Sequence, residues 1–210
     1  ATDSYDLTVT NTNDAPTVAS AIADASTDED AAHSHDISSN FADVDASDSL
    51  SFSATGMPTT LTMSTAGTMS GTPLNADVGV YTIVVTATDG TASVTDSYDL
   101  TVVNTNDAPT VASANADAST AEDAAYSLDA SGTCTDVDSG DTMAYTISGG
   151  PSTITISSGT ISGTPVNADV GTHTITVTCT DGSSATATDS YDLTVTNTND
   201  APTVASAISD

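Results

Sequence analysis

The sequence predicts an all-β protein built from tandem antiparallel β-sandwiches, and three observations support this fold class. The segment Asn-Thr-Asn-Asp-Ala-Pro occurs at 11–16, 104–109 and 197–202. Its period of 93 residues (104 − 11 and 197 − 104) is that of a small two-layer domain. Within each period, short runs rich in β-forming residues are separated by turn residues at intervals of about 8–12 residues, which is typical of a sandwich.

The period divides the 210 residues into two complete repeats and two flanks. The predicted segments are the last strand and linker of a preceding repeat at 1–13, repeat one at 14–106, repeat two at 107–199 and the first strand of a following repeat at 200–210. Alternation of Tyr5, Leu7 and Val9 with polar residues predicts a strand over 1–10. We therefore expect the chain to be an excerpt of a longer array.

Seven strands are predicted in repeat one, and turn residues set their limits. Pro16 allows only an edge strand to follow it. Further turn residues stand at 56–58, 66–67, 71–73 and 89–90. The predicted strands are 17–22, 35–37, 50–54, 61–63, 68–69, 80–88 and 93–103, and the strand predicted for the following repeat is 202–208.

Repeat two follows repeat one nearly residue for residue, apart from one compensated change in length. Gly163 comes one position earlier than its counterpart Gly71, and the 93-residue spacing is restored at Asp96 and Asp189. A one-residue slip inside a strand would turn its apolar face outward. We therefore expect both changes in length to lie in loops.

The Asp and Glu residues of the sequence have no Lys or Arg to balance their charge. The sequence contains 29 Asp and Glu residues and no Lys or Arg, so its formal net charge is −29. This charge excludes nucleic acid and anionic membrane surfaces as electrostatic partners, and no apolar run is long enough to insert into a membrane. Abundant hard oxygen donors without internal cations favour bound Ca²⁺. The alternative is that the acidic residues serve only solubility in a saline environment.

Four motifs together resemble the cadherin-like repeats of bacterial surface proteins, in particular the dystroglycan-type cadherin-like subgroup. They are the Asn-x-Asn-Asp-Ala-Pro linker, the Asp-Val-Asp loop at 43–45 and 136–138, the Ser-Gly-Thr-Pro turn at 70–73 and 162–165, and the Thr-Asp-Gly strand end at 88–90 and 180–182. The resemblance implies seven-stranded Greek-key sandwiches stacked end to end, with Ca²⁺ at the junctions.

Candidate Ca²⁺ ligands lie in the linkers, in the loops and at the strand ends. Asp136 and Asp138 stand two apart in a loop and can converge on one ion, with Asp141 close behind. The resemblance adds the strand-end Asp181 and, at the opposite end of a repeat, Glu29. The complete candidate set is Asn11, Asn13, Asp14, Glu29, Asp43, Asp45, Asp48, Asp77, Asp89, Asn104, Asn106, Asp107, Glu122, Asp136, Asp138, Asp141, Asp169, Asp181, Asn197, Asn199 and Asp200.

These residues could instead build Asx turns alone. Carboxylates that converge without a cation, however, repel by roughly 1–4 kcal/mol for each pair about 4 Å apart. Ca²⁺ ligation is therefore the favoured interpretation.

The two cysteines occur only in repeat two. Cys134 and Cys179 stand where repeat one has Phe41 and Ala87, at positions that face inward. This substitution predicts a disulfide across the sandwich, which an extracellular setting would permit.

Two of the three histidines have a spacing that a metal site could use. His33 and His35 share one strand face, a spacing open to zinc, but repeat two has Tyr126 and Leu128 at these positions. Half-buried strand positions are therefore the favoured interpretation, and His173 is interpreted likewise. We find no pattern of a nucleophilic triad, a phosphate-binding loop, an EF-hand or a glycine-rich nonapeptide.

The functional expectation is a non-enzymatic, extracellular, Ca²⁺-stiffened repeat segment of a large bacterial surface protein, serving as an adhesin stalk or a filament. Its expected partners are the neighbouring repeats, with identical chains in a filament or a host or biofilm surface ligand as further possibilities. Two alternatives remain open: a module that binds glycan or protein, and an accessory domain of a secreted enzyme.

Overall fold

Short β-strands supply nearly all of the regular structure in a computed structural model of the protein, which describes residues 1–45 and 48–205. The chain divides into two units, Ala1–Thr105 and Asn106–Asp210, and each contains one sandwich. Within the described part of the chain, no helix has the length and apolar character needed to cross a membrane.

The first sandwich consists of a four-stranded sheet, a three-stranded sheet and a two-residue ladder. Its strands are β1 (Thr17–Val18), β2 (Ala25–Asp28), β3 (His33–Asp36), β4 (Phe41–Ala42), β5 (Ser51–Thr55), β6 (Leu61–Met63), β7 (Thr68–Gly71), β8 (Gly79–Thr88) and β9 (Ser93–Val103). The strand orders are β2-β9-β8-β5 and β3-β7-β6, with β1 against β4. β2 runs parallel to β9, whereas the other pairs are antiparallel.

The second sandwich repeats this arrangement. Its strands are β10 (Thr110–Val111), β11 (Ala118–Ala121), β12 (Tyr126–Asp129), β13 (Cys134–Thr135), β14 (Ala144–Ser148), β15 (Ile154–Ser157), β16 (Thr160–Gly163), β17 (Gly171–Thr180) and β18 (Thr186–Thr196). The orders are β11-β18-β17-β14 and β12-β16-β15, with β10 against β13, and β11 runs parallel to β18. The predicted all-β fold class of tandem sandwiches is confirmed.

The core lies between the two sheets of each sandwich. Along β8 the wholly buried Ile83, Val85 and Ala87 alternate with more exposed residues, because successive side chains of a strand point to opposite faces. β17 repeats the pattern with Ile175, Val177 and Cys179. Burial of these apolar side chains, at about 25 cal/mol per Å², holds the sheets together.

A disulfide reinforces the second core. It joins Cys134 on β13 to Cys179 on β17, with 6.4 Å between the Cα atoms. In the first sandwich the Phe41 ring packs edge-on against Phe52 at 5.7 Å between centroids, and Phe52 is the strand partner of Ala87. The aromatic contact of one sandwich thus occupies the place of the covalent bond in the other.

The two changes in length lie in loops, as expected. Met63 pairs with Met69 in the first sandwich, whereas Ile156 pairs with Ile161 in the second, so the second hairpin is one residue shorter. β9 begins five positions after Thr88, and β18 begins six positions after Thr180. The strand registers are therefore unaffected.

Four strand predictions need correction. The strand predicted at 1–10 is wrong: none of these residues, all of which the structure describes, belongs to a strand, and Tyr5, Leu7 and Val9 are exposed. A strand needs hydrogen-bonded neighbours. The equivalent β9 has β2 and β8 beside it, whereas no described strand pairs with 1–10.

The other corrections concern the first strands. The prediction over 17–22 finds only β1, and it misses β2 at Ala25–Asp28. The prediction over 35–37 finds β3 two residues earlier, and the buried Ile37 follows that strand. For the prediction at 202–208, residues 202–205 form no strand and 206–208 lie outside the described residues.

Two glycines allow close approach between neighbouring strands. Gly56 follows β5 with φ +83°, and an added Cβ would lie 2.3 Å from the Thr82 carbonyl oxygen. Gly149 follows β14 with φ +84°, and an added Cβ would lie 2.4 Å from the Thr174 carbonyl oxygen. A side chain at either position would therefore force the neighbouring backbone to shift.

Candidate metal centres

Each sandwich has an acidic cluster at the end that receives the preceding linker, here called the N-terminal pole. In the first sandwich, one carboxylate oxygen from each of Asp43, Asp48 and Asp89 lies within 4.8 Å of the others. The Asp45 N–H donates to Asp43 Oδ1 at 2.9 Å, which fixes the Asp-x-Asp loop. Asp89 comes directly after β8, so the strand end brings it to the same pole.

The second sandwich builds the same cluster. Oxygens of Asp136, Asp141 and Asp181 lie within 4.8 Å of one another. The Asp138 N–H donates to Asp136 Oδ1 at 3.0 Å, and Asp181 comes directly after β17. Asp138 and Asp181 are 7% and 5% exposed, so these charges are held largely away from solvent.

The linker residues bind to the pole that follows them. In the first sandwich, Asn11 Nδ2 and the Asp14 N–H donate to the two carboxylate oxygens of Asp45 at 2.9 and 2.7 Å. Asn13 Nδ2 donates to Asp89 Oδ2 at 3.1 Å. The acidic pole therefore anchors the Asn-Thr-Asn-Asp segment as well as forming a cluster.

The second sandwich anchors its linker with the corresponding residues. Asn106 Nδ2 donates to Asp181 Oδ2 at 3.0 Å, and the Asp107 N–H donates to Asp138 Oδ2 at 2.8 Å. Recurrence of both bonds shows that the linker motif and the acidic pole form one structural unit.

The opposite end of each sandwich, here called the C-terminal pole, holds a buried glutamate. Glu29 follows β2 and is 2% exposed, and its Oε1 accepts the Thr105 N–H at 2.9 Å. Glu122 follows β11, is also 2% exposed, and accepts the Thr198 N–H at 2.8 Å. Each glutamate therefore binds the backbone of the linker that leaves its own sandwich.

The second acidic residue of this pole lies in a short 3₁₀ turn. Asp77 Oδ2 accepts the Thr60 hydroxyl at 2.7 Å and the Leu74 N–H at 3.1 Å. Asp169 Oδ2 accepts the Thr153 hydroxyl at 2.9 Å and the Val166 N–H at 3.0 Å. These threonines were not predicted as site residues, although their recurrence 93 residues apart was a usable signal.

Four buried carboxylate oxygens have no hydrogen-bond partner among the described residues. They are Oε2 of Glu29 and Glu122 and Oδ2 of Asp43 and Asp136. Buried polar atoms are nearly always partnered, and a buried unpaired charge is costly. Because the chain has no Lys or Arg, a cation that compensates them must come from solution. Ca²⁺ fits this donor set, since it takes six to eight oxygen ligands and tolerates irregular geometry.

Hydrogen bonds keep three of the predicted ligands ionised. The N–H groups of Ala92 and Thr91, with the Asn13 amide, lower the pKa of Asp89 below its usual value. The Asn106 amide, together with backbone N–H groups, lowers the pKa of Asp181. The Val166 N–H and the Thr153 hydroxyl lower the pKa of Asp169. Ionised carboxylates are the form that a hard cation binds.

The remaining candidates lie in exposed linker segments. They are Asn104, Asn197, Asn199 and Asp200, and Asp200 belongs to none of the acidic clusters among the described residues. Asn199 Nδ2 donates to the carbonyl oxygen of Asp200 at 3.3 Å. His33, His35 and His173 are half-buried strand residues.

Acid should destabilise both sandwiches. The folded pKa of Asp89 and of Asp181 lies below the unfolded value of about 3.9, so the unfolded chain takes up protons first. This contribution to stability is complete above the unfolded pKa and is lost as the pH falls through the folded pKa. We expect melting temperatures in chelator to be level from pH 7 to 5 and to fall below about pH 4. Asp89→Asn, which keeps an acceptor oxygen, should flatten the fall for the first sandwich. A melting temperature that is constant down to pH 2 would contradict the assignment.

Two sandwiches in tandem, with acidic poles and anchored linkers, define an immunoglobulin- and cadherin-like repeat protein. Residues 15–103 and 108–196 match the family described as "Putative Ig domain" (He_PIG). These matches cover most of the chain, and the chain belongs to this family. No curated protein matches the sequence significantly.

Solved structures share the fold. The Drosophila N-cadherin EC1-4 structure has a TM-score of 0.59 at 18% identity, over 88% of this chain and 50% of that one. Human mucin-like protocadherin EC1-2 has a TM-score of 0.59 at 15% identity, over 87% of this chain and 98% of that one. An endo-fucoidan hydrolase of glycoside hydrolase family 107 has a TM-score of only 0.43 at 24% identity, and the chain spans 30% of its length. The two cadherin likenesses concern the fold alone.

Proposed function

We propose that this chain is a calcium-stiffened structural segment of a large extracellular surface protein, acting as a stalk or a filament without catalytic activity of its own. The observation that carries the proposal is the set of buried, unpartnered carboxylate oxygens at the poles of a chain without Lys or Arg. Bound Ca²⁺ would supply the missing partner and neutralise the clusters.

The extracellular setting has independent support. The fold is that of immunoglobulin- and cadherin-like ectodomains, and the Cys134–Cys179 disulfide is typical of oxidising environments. The resemblance of the linker and loop motifs to bacterial cadherin-like repeats makes a bacterial cell surface the proposed location.

Stiffening is proposed to act through the linker. Thr105 is anchored by Glu29 of the first unit, and the next residue, Asn106, is anchored by Asp181 of the second. The linker sequence also contains no glycine that would make it flexible. Ca²⁺ bound to carboxylates that already hold this backbone would restrain it further, because bending would then break coordination bonds. Without the ion, mutual repulsion of the carboxylates would loosen the same segment.

The test compares the protein in millimolar Ca²⁺, in Mg²⁺ and in chelator. A ligand that binds only the folded state stabilises it by about 2.7 kcal/mol at one hundred times its dissociation constant. For domains of this size each kcal/mol corresponds to about 4–8 °C in melting temperature. We therefore expect Ca²⁺ to raise the melting temperature by about 10–20 °C and to lengthen the maximum dimension in small-angle scattering. Mg²⁺ should do less, because it demands tighter geometry.

Matched variants locate the effect. Asp136→Asn should weaken the calcium response of the second sandwich, and Asp43→Asn that of the first. Asp99→Asn is the control, because Asp99 lies on β9, accepts a hydrogen bond from the Thr82 hydroxyl on β8 and is outside the clusters. Identical melting and scattering in Ca²⁺ and in chelator would leave the acidic residues as solubility determinants and would refute the proposal.

A further inference from the structure

The first sandwich collects the soft metal-binding side chains of the protein. It contains two of the three histidines, His33 and His35, and three of the four methionines, Met57, Met63 and Met69. At the strand positions that match both histidines and two of these methionines, the second sandwich has Tyr126, Leu128, Ile156 and Ile161. The repeat fold therefore does not require this set.

The strand register places four of these side chains on one sheet face. His35 on β3 pairs with Met69 on β7, and Met69 also pairs with Met63 on β6. Directly opposed residues of antiparallel strands have neighbouring side chains on the same face. His33 lies two residues before His35 and therefore points to that face as well. Met69 is wholly buried, so this is the core face of the sheet.

The two imidazoles each present a buried nitrogen without a partner. His33 Nε2 and His35 Nδ1 have no hydrogen bond to the described residues, although buried polar atoms are nearly always satisfied. Their ring centroids are 6.3 Å apart. The Tyr98 ring lies edge-on to His35 at 5.5 Å between centroids, and its hydroxyl donates a hydrogen bond to Met69 Sδ at 3.8 Å, so Tyr98 lies against both residues.

We propose that His33 and His35, with the thioether of Met69, bind a soft monovalent metal ion, Cu(I). Nitrogen and thioether ligands without a carboxylate select Cu(I), in contrast to the hard oxygen sites at the poles. With a metal–nitrogen bond of about 2.0 Å, an ion bound to an imidazole lies ~3.2 Å from its ring centroid. The 6.3 Å between the two centroids is therefore short enough for one ion to bind both rings. Structural Zn²⁺, which takes four tetrahedral ligands and favours thiolates, is a poorer match.

One further feature favours uptake. β3 is an edge strand of its sheet and His33 is only half-buried, so an ion can reach the site from solution. The site is independent of the calcium proposal, because it shares no residue with the acidic clusters.

The experiment titrates the full chain with Cu(I) under anaerobic ascorbate, against a chromogenic Cu(I) chelator. Ascorbate leaves the disulfide closed, so no free thiol competes for the metal. We expect one equivalent to bind. His33→Tyr with His35→Leu installs the residues of the second sandwich and should abolish binding, and Met69→Ile should weaken it. His173→Tyr and Met143→Leu are controls that should retain binding.

Histidine ring NMR of the unmodified protein provides a readout that does not depend on any variant folding. Cu(I) is diamagnetic, and it should shift the signals of His33 and His35 while leaving those of His173 in place. Absence of stoichiometric binding, or binding that survives the double substitution, would overturn the proposal. The response of the melting temperature to Ca²⁺ should be unchanged in the double variant, so failure of one proposal is distinguishable from failure of the other.

Discussion

Loss of the Cys134–Cys179 disulfide is expected to destabilise the second sandwich by about 4 kcal/mol and to leave the first unchanged. The bond closes a loop with a sequence separation of 45 residues, so breaking it returns conformational freedom mainly to the unfolded chain. A loss of this size lowers the melting temperature of a domain of about 90 residues by roughly 15–30 °C.

Hydrogen–deuterium exchange with mass spectrometry measures this effect for each sandwich in the intact chain. Peptides from β17 and β18 should lose protection in Cys134→Ser/Cys179→Ser, whereas those from β8 and β9 should not. The informative control is Cys134→Phe/Cys179→Ala, which installs the Phe41 and Ala87 of the first sandwich and should recover part of the loss. Equal loss of protection in both sandwiches would show that the bond does not act on its own domain.

Gly56→Ala is expected to cost the first sandwich about 2–4 kcal/mol. At φ +83° a side chain is disfavoured by about 1–2 kcal/mol, and the added Cβ would lie 2.3 Å from the Thr82 carbonyl oxygen. Either the turn after β5 or the β5–β8 ladder must therefore shift.

Gly90→Ala separates the two contributions. Gly90 has φ +96°, but an added Cβ there meets nothing within 4 Å, so only the conformational cost remains. Urea denaturation of both variants should give a clearly larger loss for Gly56→Ala. Similar losses would indicate that the close approach to Thr82 relaxes without cost. Gly149→Ala should repeat the large effect in the second sandwich.

The sequence predicted those strands whose own residues define them. The prediction over 93–103 coincides with β9, and that over 80–88 falls one residue short of β8, because apolar residues alternate clearly in both. β2 escaped prediction because Ala25-Ser26-Thr27-Asp28 has no apolar alternation, and the strand exists through its hydrogen bonds to β9. The prediction for residues 1–10 was wrong for the opposite reason: their apolar alternation is strong, but no strand of the described residues lies beside them to pair with.

Some residues of the candidate sites could likewise be predicted from their own sequence pattern, whereas others depend on contacts that only the structure shows. Asp43 and Asp136 could be predicted from the Asp-x-Asp spacing, and Asp89 and Asp181 from their place after a long strand. The hydrogen bond from the Thr105 N–H to Glu29 could not be predicted. Every residue except proline has a backbone N–H, so the sequence does not indicate which one a carboxylate accepts. The unpartnered nitrogens of His33 and His35 also required the structure, since they depend on how closely the core packs.

The parallel pairing of β2 with β9 has a mechanical consequence. Because β2 and β9 run in the same direction, tension between the two ends of a sandwich would pull β2 towards its N-terminal end and β9 towards its C-terminal end. The four pairs from Ala25–Leu100 to Asp28–Val103 are then loaded in shear and must rupture together. An antiparallel terminal pair under the same tension would open one bond at a time, like a zipper. β11 and β18 are paired in the same way, so tension along the chain would load the second sandwich in shear at the equivalent strands.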